Sequence, residues 1–409
     1  MNSSNFKKPL PFSLLLFISL LFGFSATSQS LVLSDSAKVS MLTCSPGDEL
    51  YSVFGHSAIR VSDPVAKVDI VFNYGTFDFS DPNFYSNFVM GRLNYILSVS
   101  YFQNFYLGYA EENRWIYEQE LNITGSEKQF LLDSLFANYK PENRYYLYDF
   151  FYDNCATRIR NVFVEGIPRT IEFNYSTLES NKSFRELLMP LLKQQPWARF
   201  GINLALGLPS DRIAEPWDYM FLPNHMLTAF QNAHFKGDNS VSKFAKEPVV
   251  LLEGKPITNE GSLNEPLMVF LVILLVALAI SYRNYKNKSV SYWFDRILFG
   301  SVGVLGVVLV FLWFFTDHKV FVVNFNVLWA NPLYLLFILI LSIRQLSSWT
   351  RWYSAINLAL LVVTLLAWPL IPQALPWEVY PLVIALAVRF WIIYLNNNTT
   401  LNSASRKSR

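Results

Sequence analysis

The chain has 409 residues, of which 52% are hydrophobic and 16% charged, with a formal net charge of +2. That is too apolar for an ordinary soluble protein, and it leaves no basic excess for nucleic acid. Four histidines and two cysteines lack metal-ligand spacing, and neither a glycine-rich phosphate loop nor a Gly-x-Ser-x-Gly elbow occurs.

In chain order, Lys7 and Lys8 precede an apolar run from Phe12 to Phe22 and then Ala-Thr-Ser before Gln29. This is the layout of a secretory signal peptide over residues 1–28, cleaved near Ser28. The run is too short for a bilayer span, which takes about twenty residues. An exported domain then covers residues 29–262. Period-two alternation predicts strands at 38–44, 57–62 and 68–74, with a turn and short helix through Pro46 to Phe54 between the first two. Asn83 to Tyr109 is aromatic-rich and without a clear period, and Arg114 to Asn122 alternates like a strand. Thr124 and Glu127 form a capping-box pattern ahead of an apolar helix from Phe130 to Tyr139. Arg144 to Phe151 reads as a strand that delivers the chain to a helix ending before Gly166. Helices are also expected over Ser183 to Lys193 and Arg199 to Leu206. Trp197, Phe200, Trp217, Phe221 and Phe230 either fill the core or rest on lipid headgroups.

From Pro266 the composition changes, and five membrane helices are predicted near 267–283, 295–315, 327–343, 353–371 and 377–395, within a domain over 263–396. Arg283, Lys286 and Lys288, then Arg344 and Arg351, then Arg406, Lys407 and Arg409 in the tail 397–409 fall on one side of a five-span layout. The positive-inside rule makes that side cytoplasmic, which puts the exported domain outside, as the signal peptide independently requires.

Two residues in the exported domain carry reactive chemistry. His56 lies in Phe-Gly-His-Ser-Ala-Ile-Arg-Val, at the head of a strand. Cys155 lies in Tyr-Asp-Asn-Cys-Ala-Thr-Arg, where Asp153 or Asn154 would cap a helix whose first turn holds the thiol. Partial positive charge at a helix N-terminus and a nearby imidazole both favour thiolate, which is the nucleophile. Two other readings stand beside this one: a structural Cys44–Cys155 disulfide, and Cys44 as nucleophile, although Cys44 ends a strand rather than opening a helix. Asn73 is placed to orient the imidazole, or else is a turn residue.

At these residues the sequence resembles the Lnb family of bacterial lipoprotein N-acyltransferases. The motifs are Leu-Tyr-Ser-Val-Phe-Gly-His-Ser-Ala-Ile-Arg-Val, Phe-Asn-Tyr-Gly-Thr-Phe-Asp-Phe, Tyr-Asp-Phe-Phe-Tyr-Asp-Asn-Cys-Ala-Thr-Arg and Thr-Asp-His-Lys-Val-Phe-Val-Val-Asn-Phe-Asn. The histidine-before-cysteine order also resembles circularly permuted papain-like enzymes, including lecithin retinol acyltransferase. The resemblance implies an α+β exported domain of permuted papain-like fold followed by an all-α five-helix transmembrane domain in the inner membrane. It implies Cys155 as nucleophile, His56 as base, a phospholipid acyl donor, a diacylated lipoprotein acceptor and no cofactor. Asp317, His318, Asn324 and Asn326, in the loop after the second span, then either face the reaction zone or are simply solvated, and Arg158 and Arg160 either bind a phosphate or lie on a solvated helix face. A membrane-tethered cell-wall cysteine peptidase or amidase, a phospholipase, and a disulfide-stapled scaffold are the competing readings.

Overall fold

The computed structural model describes residues 31–407 apart from 177–180, 238–241, 257–262, 342 and 344–345, with side chains described to residue 396. The expected signal peptide, Arg344, and the side chains of Arg406, Lys407 and Arg409 lie outside the described residues. The exported half runs β1 (Lys38–Cys44), β2 (His56–Asp63), β3 (Val68–Phe77), α1 (Phe84–Met90), β4 (Asn94–Tyr101), α2 (Phe102–Glu111) and β5 (Ile116–Glu120). It continues through α3 (Gly125–Tyr139), β6 (Tyr145–Leu147), α4 (Cys155–Gly166), β7 (Ile171–Glu172), α5 (Phe184–Leu188), α6 (Pro196–Ala205), α7 (Pro223–Gln231), β8 (His234–Phe235) and β9 (Val249–Leu252).

Seven strands form one antiparallel sheet in the order β6-β4-β3-β2-β1-β5-β9. Alternation along β1 and β2 sends Val39, Met41, Ile59 and Val61 to one face, where they pack with Cys155, Ala156, Ile159 and Phe163 of α4 and with Leu131 and Leu135 of α3. Leu42, Cys44, Ala58 and Val71 go to the other face, against Phe102, Phe105, Tyr106 and Tyr109 of α2. Covering both faces is why these strands carry so few solvated positions. The predicted box at Thr124 and Glu127 starts α3 as expected: Thr124 Oγ1 accepts from the Glu127 amide, and Glu127 Oε2 accepts from the Thr124 amide at 2.7 Å.

Three expectations need correction. Pro46 to Phe54 is turns rather than a helix. The strand expected over 144–151 stops at Leu147, because Asp149 Oδ1 accepts from the amides of Phe151 and Tyr152 and bends the chain instead. The helix expected over 183–193 is the short α5 followed by a 3-10 turn at Met189–Leu192, since Pro190 has no N–H to continue it. Of the aromatic set, Phe221 and Phe230 are buried, Trp197 is exposed, and Phe200 packs on Phe270 at 5.3 Å between ring centroids.

The second half holds α8 (Glu265–Asn287), α9 (Trp293–Phe315), α10 (Tyr334–Ile340), α11 (Ser347–Ala367) and α12 (Tyr380–Lys407). Among the described residues four helices are long and apolar enough to cross a membrane: Glu265–Asn287, Trp293–Phe315, Ser347–Leu370 and Trp377–Asn396. The third expected span, 327–343, differs in form. It is a 3-10 turn at Phe325–Leu328, a break at Asn331-Pro332 and the seven-residue α10. Near the ends of α8 and α9 opposite the exported domain, fully buried Arg389 of α12 forks onto Asp295 at 2.7 and 2.8 Å and bonds Ser281 and Asn284. An ion pair in which every guanidinium nitrogen is hydrogen-bonded is the form in which buried charge is tolerated there.

The halves meet along a polar seam. Gly207 N donates to Val320 O at 2.8 Å and Leu208 N to Val323 O at 3.1 Å. Asn324 Nδ2 donates to Leu204 O and Ala205 O, Gln373 Nε2 to Leu206 O, and Ala374 N to Asp211 Oδ1. A side chain at Gly207 would put its Cβ 1.9 Å from Val322 O, so only glycine permits this approach.

Candidate active site

Asn154 caps α4. Its Oδ1 accepts from the Thr157 amide at 2.9 Å, Thr157 Oγ1 accepts from the Asn154 amide at 2.7 Å, and its Nδ2 donates to Phe150 O and Phe221 O. The capped helix start therefore stands fixed, with Cys155 as its first residue. Strands β2 and β3 pair from Asp63↔Val68 to Ile59↔Phe72 and no further, and β3 shifts register between Asn73 and Thr76. The strands thus part just where α4 begins. Cys155 occupies the mouth, where the backbone N–H groups of Ser57, Cys155 and Ala156 lie near enough to favour negative charge on its sulfur.

Gly75, with φ of +86°, makes room for this on β3. A Cβ there would lie 3.7 Å from Cys155 Cβ, 3.5 Å from the Tyr148 ring and 3.9 Å from the Tyr146 hydroxyl. That hydroxyl is buried and bonds to nothing among the described residues. Burial and the adjacent Cys155 push the Tyr146 phenol upward, so it remains a proton donor. The Tyr146 ring carries the Arg158 guanidinium at 4.1 Å.

His56 heads β2, one residue before Ser57, and Asn73 follows Phe72 at the end of the β2–β3 pairing, with His56 Nε2 3.4 Å from Asn73 Oδ1. Burial pulls the imidazole down to about 4, against a weaker upward pull from Asn73. Burial raises the Cys155 thiol, and the three amides oppose it. At neutral pH the resting site therefore holds a thiol and a neutral imidazole rather than an ion pair. No hydrogen bond joins these two groups among the described residues; such contacts in a substrate-free site commonly tighten only once substrate is bound.

Cys44 lies across β1 from His56, and both cysteines are free thiols, so the disulfide reading finds no bond here. Burial drives Cys44 up to about 12, despite a hydrogen bond with Tyr109 and the charge of Arg114. It lacks the helix-start position that Cys155 has.

Beside the mouth is a cavity of about 380 Å³ lined by both halves of the chain. Tyr148, Phe54, Phe150, Leu93 and Tyr95 come from the exported side, Ile202, Ala205 and Leu206 from α6 and its end, and His318, Val320 and Phe321 from the loop after α9. Tyr148 lines this cavity, and its ring and Cys155 both lie beside Gly75. Asp317 and His318 stand on its rim: Arg92 Nε donates to Asp317 Oδ2 at 2.6 Å, and His318 Nε2 is 3.2 Å from Phe88 O.

The other expected site residues lie elsewhere. Asn324 is buried in the seam with its amide committed to Leu204 O, Ala205 O and the Asn326 amide, and Asn326 bonds the Trp329 indole. Neither faces the cavity or solvent, which corrects both readings of that pair. Arg158 is ion-paired with Asp153 and borders a separate depression of about 640 Å³ between α3 and α4, of mixed polar and apolar lining. Arg160 bonds Trp217 O and lies over its ring. Tyr146, Tyr148 and the Ser57 amide escape a reading by motif. The only sequence signal for the tyrosines is their period-two spacing just upstream of Cys155.

The Lnb N-terminal periplasmic domain family matches residues 25–187, and the Lnb transmembrane domain family matches residues 258–400. The chain belongs to the Lnb family. No curated protein and no solved structure matches it. In this Lnb chain the α+β sheet domain and the apolar helices coincide with the two matched stretches, so a membrane-spanning half follows a periplasmic one. The seam residues Leu204 to Asp211 fall between the two matches.

Proposed function

We propose that this Lnb chain is a lipoprotein N-acyltransferase acting through a Cys155 thioester. The observation that carries this is the apolar cavity walled by both the exported domain and the membrane-side loop, with Tyr148 lining it and, like Cys155, lying beside Gly75. A site that only cut cell-wall peptides has no use for such a cavity; an acyl chain does. The order of histidine on a strand, asparagine on the next and cysteine opening a helix supports the permuted papain-like reading of the exported domain.

In the first half-reaction His56 takes the Cys155 proton, the sulfur attacks a phospholipid ester carbonyl, a C–S bond forms, and the C–O bond breaks. The lysophospholipid leaves as an alcohol with the proton returned by His56. In the second, the α-amine of a diacylglyceryl-cysteine attacks the thioester, C–N forms as C–S breaks, and His56 passes the amine proton to the departing thiolate. Amides at the mouth and the Tyr146 hydroxyl are placed to hold the developing oxyanion. Asn73 orients the imidazole, and His318 and Asp317 meet the donor headgroup at the rim.

The domain limits follow the same reading: signal peptide 1–28, periplasmic domain 29–262, membrane domain 263–396 and cytoplasmic tail 397–409. The loop after α9 and the one after α11 both bond the stretch 204–211, so these helices end on the same side. A crossing between them is then made by the broken segment with α10, giving five passes in the inner membrane. Arg283, Lys286, Lys288 and Arg351 lie at the other ends of the helices, in keeping with the positive-inside rule.

The test is peptide mass spectrometry of the purified protein after incubation with phospholipid, followed by addition of a diacylated lipopeptide. A hydroxylamine-labile acyl adduct on Cys155 that moves to the peptide amine is expected, and Cys155→Ala abolishes both. Acyl transfer surviving that substitution would overturn the proposal, and release of the chain as free fatty acid in the presence of acceptor would make the protein a phospholipase.

A further inference from the structure

Helix α1 is seven residues long and has no buried residue. A helix of that length is not stable alone in water, and this one is held from within the chain by the Phe84 ring on Phe77 and Phe79 and by bonds at its C-terminal end. Its residues divide by face. Tyr85, Phe88 and Val89, spaced i, i+3, i+4, are 81%, 49% and 48% exposed. On the other side Asn87 Nδ2 donates to Asp81 Oδ2, and Asp81 Oδ1 accepts from the Asn83 amide. The helix therefore has a polar side and a largely exposed apolar one.

Its C-terminal end is pinned to the head of a membrane span. Asp317 N donates to Met90 O at 2.8 Å, His318 Nε2 meets Phe88 O, and Arg92 pairs with Asp317. Gly91, ending α1 at φ of +71°, abuts His318 so closely that a Cβ would stand 3.0 Å from its ring. Asp317 is two residues past Phe315, the last residue of α9, where Phe314 and Phe315 are themselves exposed by 64% and 63%. The exposed end of α9 and α1 are thus joined through Thr316 and the Arg92–Asp317 pair.

We propose that α1 is an interfacial helix whose Tyr85, Phe88 and Val89 face lies in the lipid leaflet on the exported side. Attachment within two residues of the end of a helix long and apolar enough to cross a membrane chooses lipid over a protein partner, and exposed aromatic side chains with an ion pair beside them suit the headgroup boundary. Phe88 and Gly91 also line the apolar cavity, so α1 is the partition between that cavity and the leaflet. The placement rests on α9 crossing the membrane and not on the acyl chemistry. It gives an acyl chain a route that passes under α1 without entering water.

The experiment is nitroxide accessibility on full-length protein in phosphatidylcholine nanodiscs, with Cys44→Ser and Cys155→Ser removing the native thiols. Labels go at Phe88→Cys and Val89→Cys on the apolar face and at Ser86→Cys beside it. Leu366→Cys, on the outer face of α11, is the lipid reference, and Lys67→Cys, at the far end of the sheet from the site, is the water reference. Preference for oxygen over a water-soluble nickel chelate is expected to be several-fold higher at 88 and 89 than at 67, approaching that at 366, with 86 intermediate. Water-like values at 88 and 89 would overturn the proposal. Exclusion of both reagents would mean that protein covers the face, and equal lipid preference at all three labels would mean full immersion; either result also overturns it. None of these readouts depends on turnover, so failure here leaves the acyltransferase reading to its own test.

Discussion

Replacing Tyr146 with phenylalanine should move activity and stability in opposite directions. The hydroxyl is buried beside the thiol with no partner among the described residues, while the ring packs in the sheet core under the Arg158 guanidinium. Phenylalanine keeps the ring, its contacts and the cation–π stack. What it removes is one unsatisfied hydroxyl, whose burial costs about 1–3 kcal/mol. For an exported domain of this size each kcal/mol is worth about 2–4 °C, so the unfolding midpoint should rise by a few degrees. If the hydroxyl finds its partner only in the oxyanion of the transition state, its loss should lower kcat about 10²–10³-fold with little change in KM. The assay is acyl transfer to a lipopeptide across a range of donor concentrations, with calorimetry on the same preparation. Unchanged kcat, or a midpoint that falls with kcat, would refute the reasoning, because a merely structural tyrosine lowers both.

Gly75→Ala is expected to be tolerated sterically, since the new Cβ would sit at 3.5–3.7 Å from Tyr148 and Cys155, but the positive φ should cost about 1–2 kcal/mol; a chemical-denaturation midpoint that does not fall would contradict this. His56 titrates at about 4 when folded and about 6.5 when unfolded, so the unfolded chain takes up a proton that the folded one refuses. Its contribution is complete above pH 6.5 and is lost as pH falls towards 4, by up to about 3 kcal/mol, and His56→Gln should flatten that part of the stability profile measured from pH 7.5 to 4.5. In the membrane half, Asp295→Asn or Arg389→Met alone should cost about 3–5 kcal/mol by stranding a buried charge, whereas the double replacement should recover most of it. Detergent melting curves of the three variants decide this, and a double variant no better than either single one would count against the pair.

Local chemistry was the legible part of the sequence. The box at Thr124 and Glu127, the cap at Asn154 and the first three strands all rest on patterns a few residues wide, and each appears where those patterns put it. What escaped depends on distant partners. Asn324 reads as an ordinary loop residue until Leu204 O and Ala205 O are brought to it, and the Ser57 amide becomes part of a site only because β2 and β3 part in front of α4. The third membrane segment escaped for a different reason. Hydropathy counts apolar residues but does not register that Asn331-Pro332 interrupts the backbone, leaving only Tyr334–Ile340 as helix.

The seam at Gly207 has a mechanical consequence. Because main chain meets main chain there, with Asn324 and Gln373 bracing either side, the thiol stands at a set height above the ends of the spans. A flexible tether would let the exported domain follow its substrate; a braced one makes it a depth gauge. Under the acyl transfer proposed above, the lipid ester must come to that height, and its depth is set by the thickness of the bilayer. Acyl-chain length in the host membrane would then control how often ester and sulfur meet.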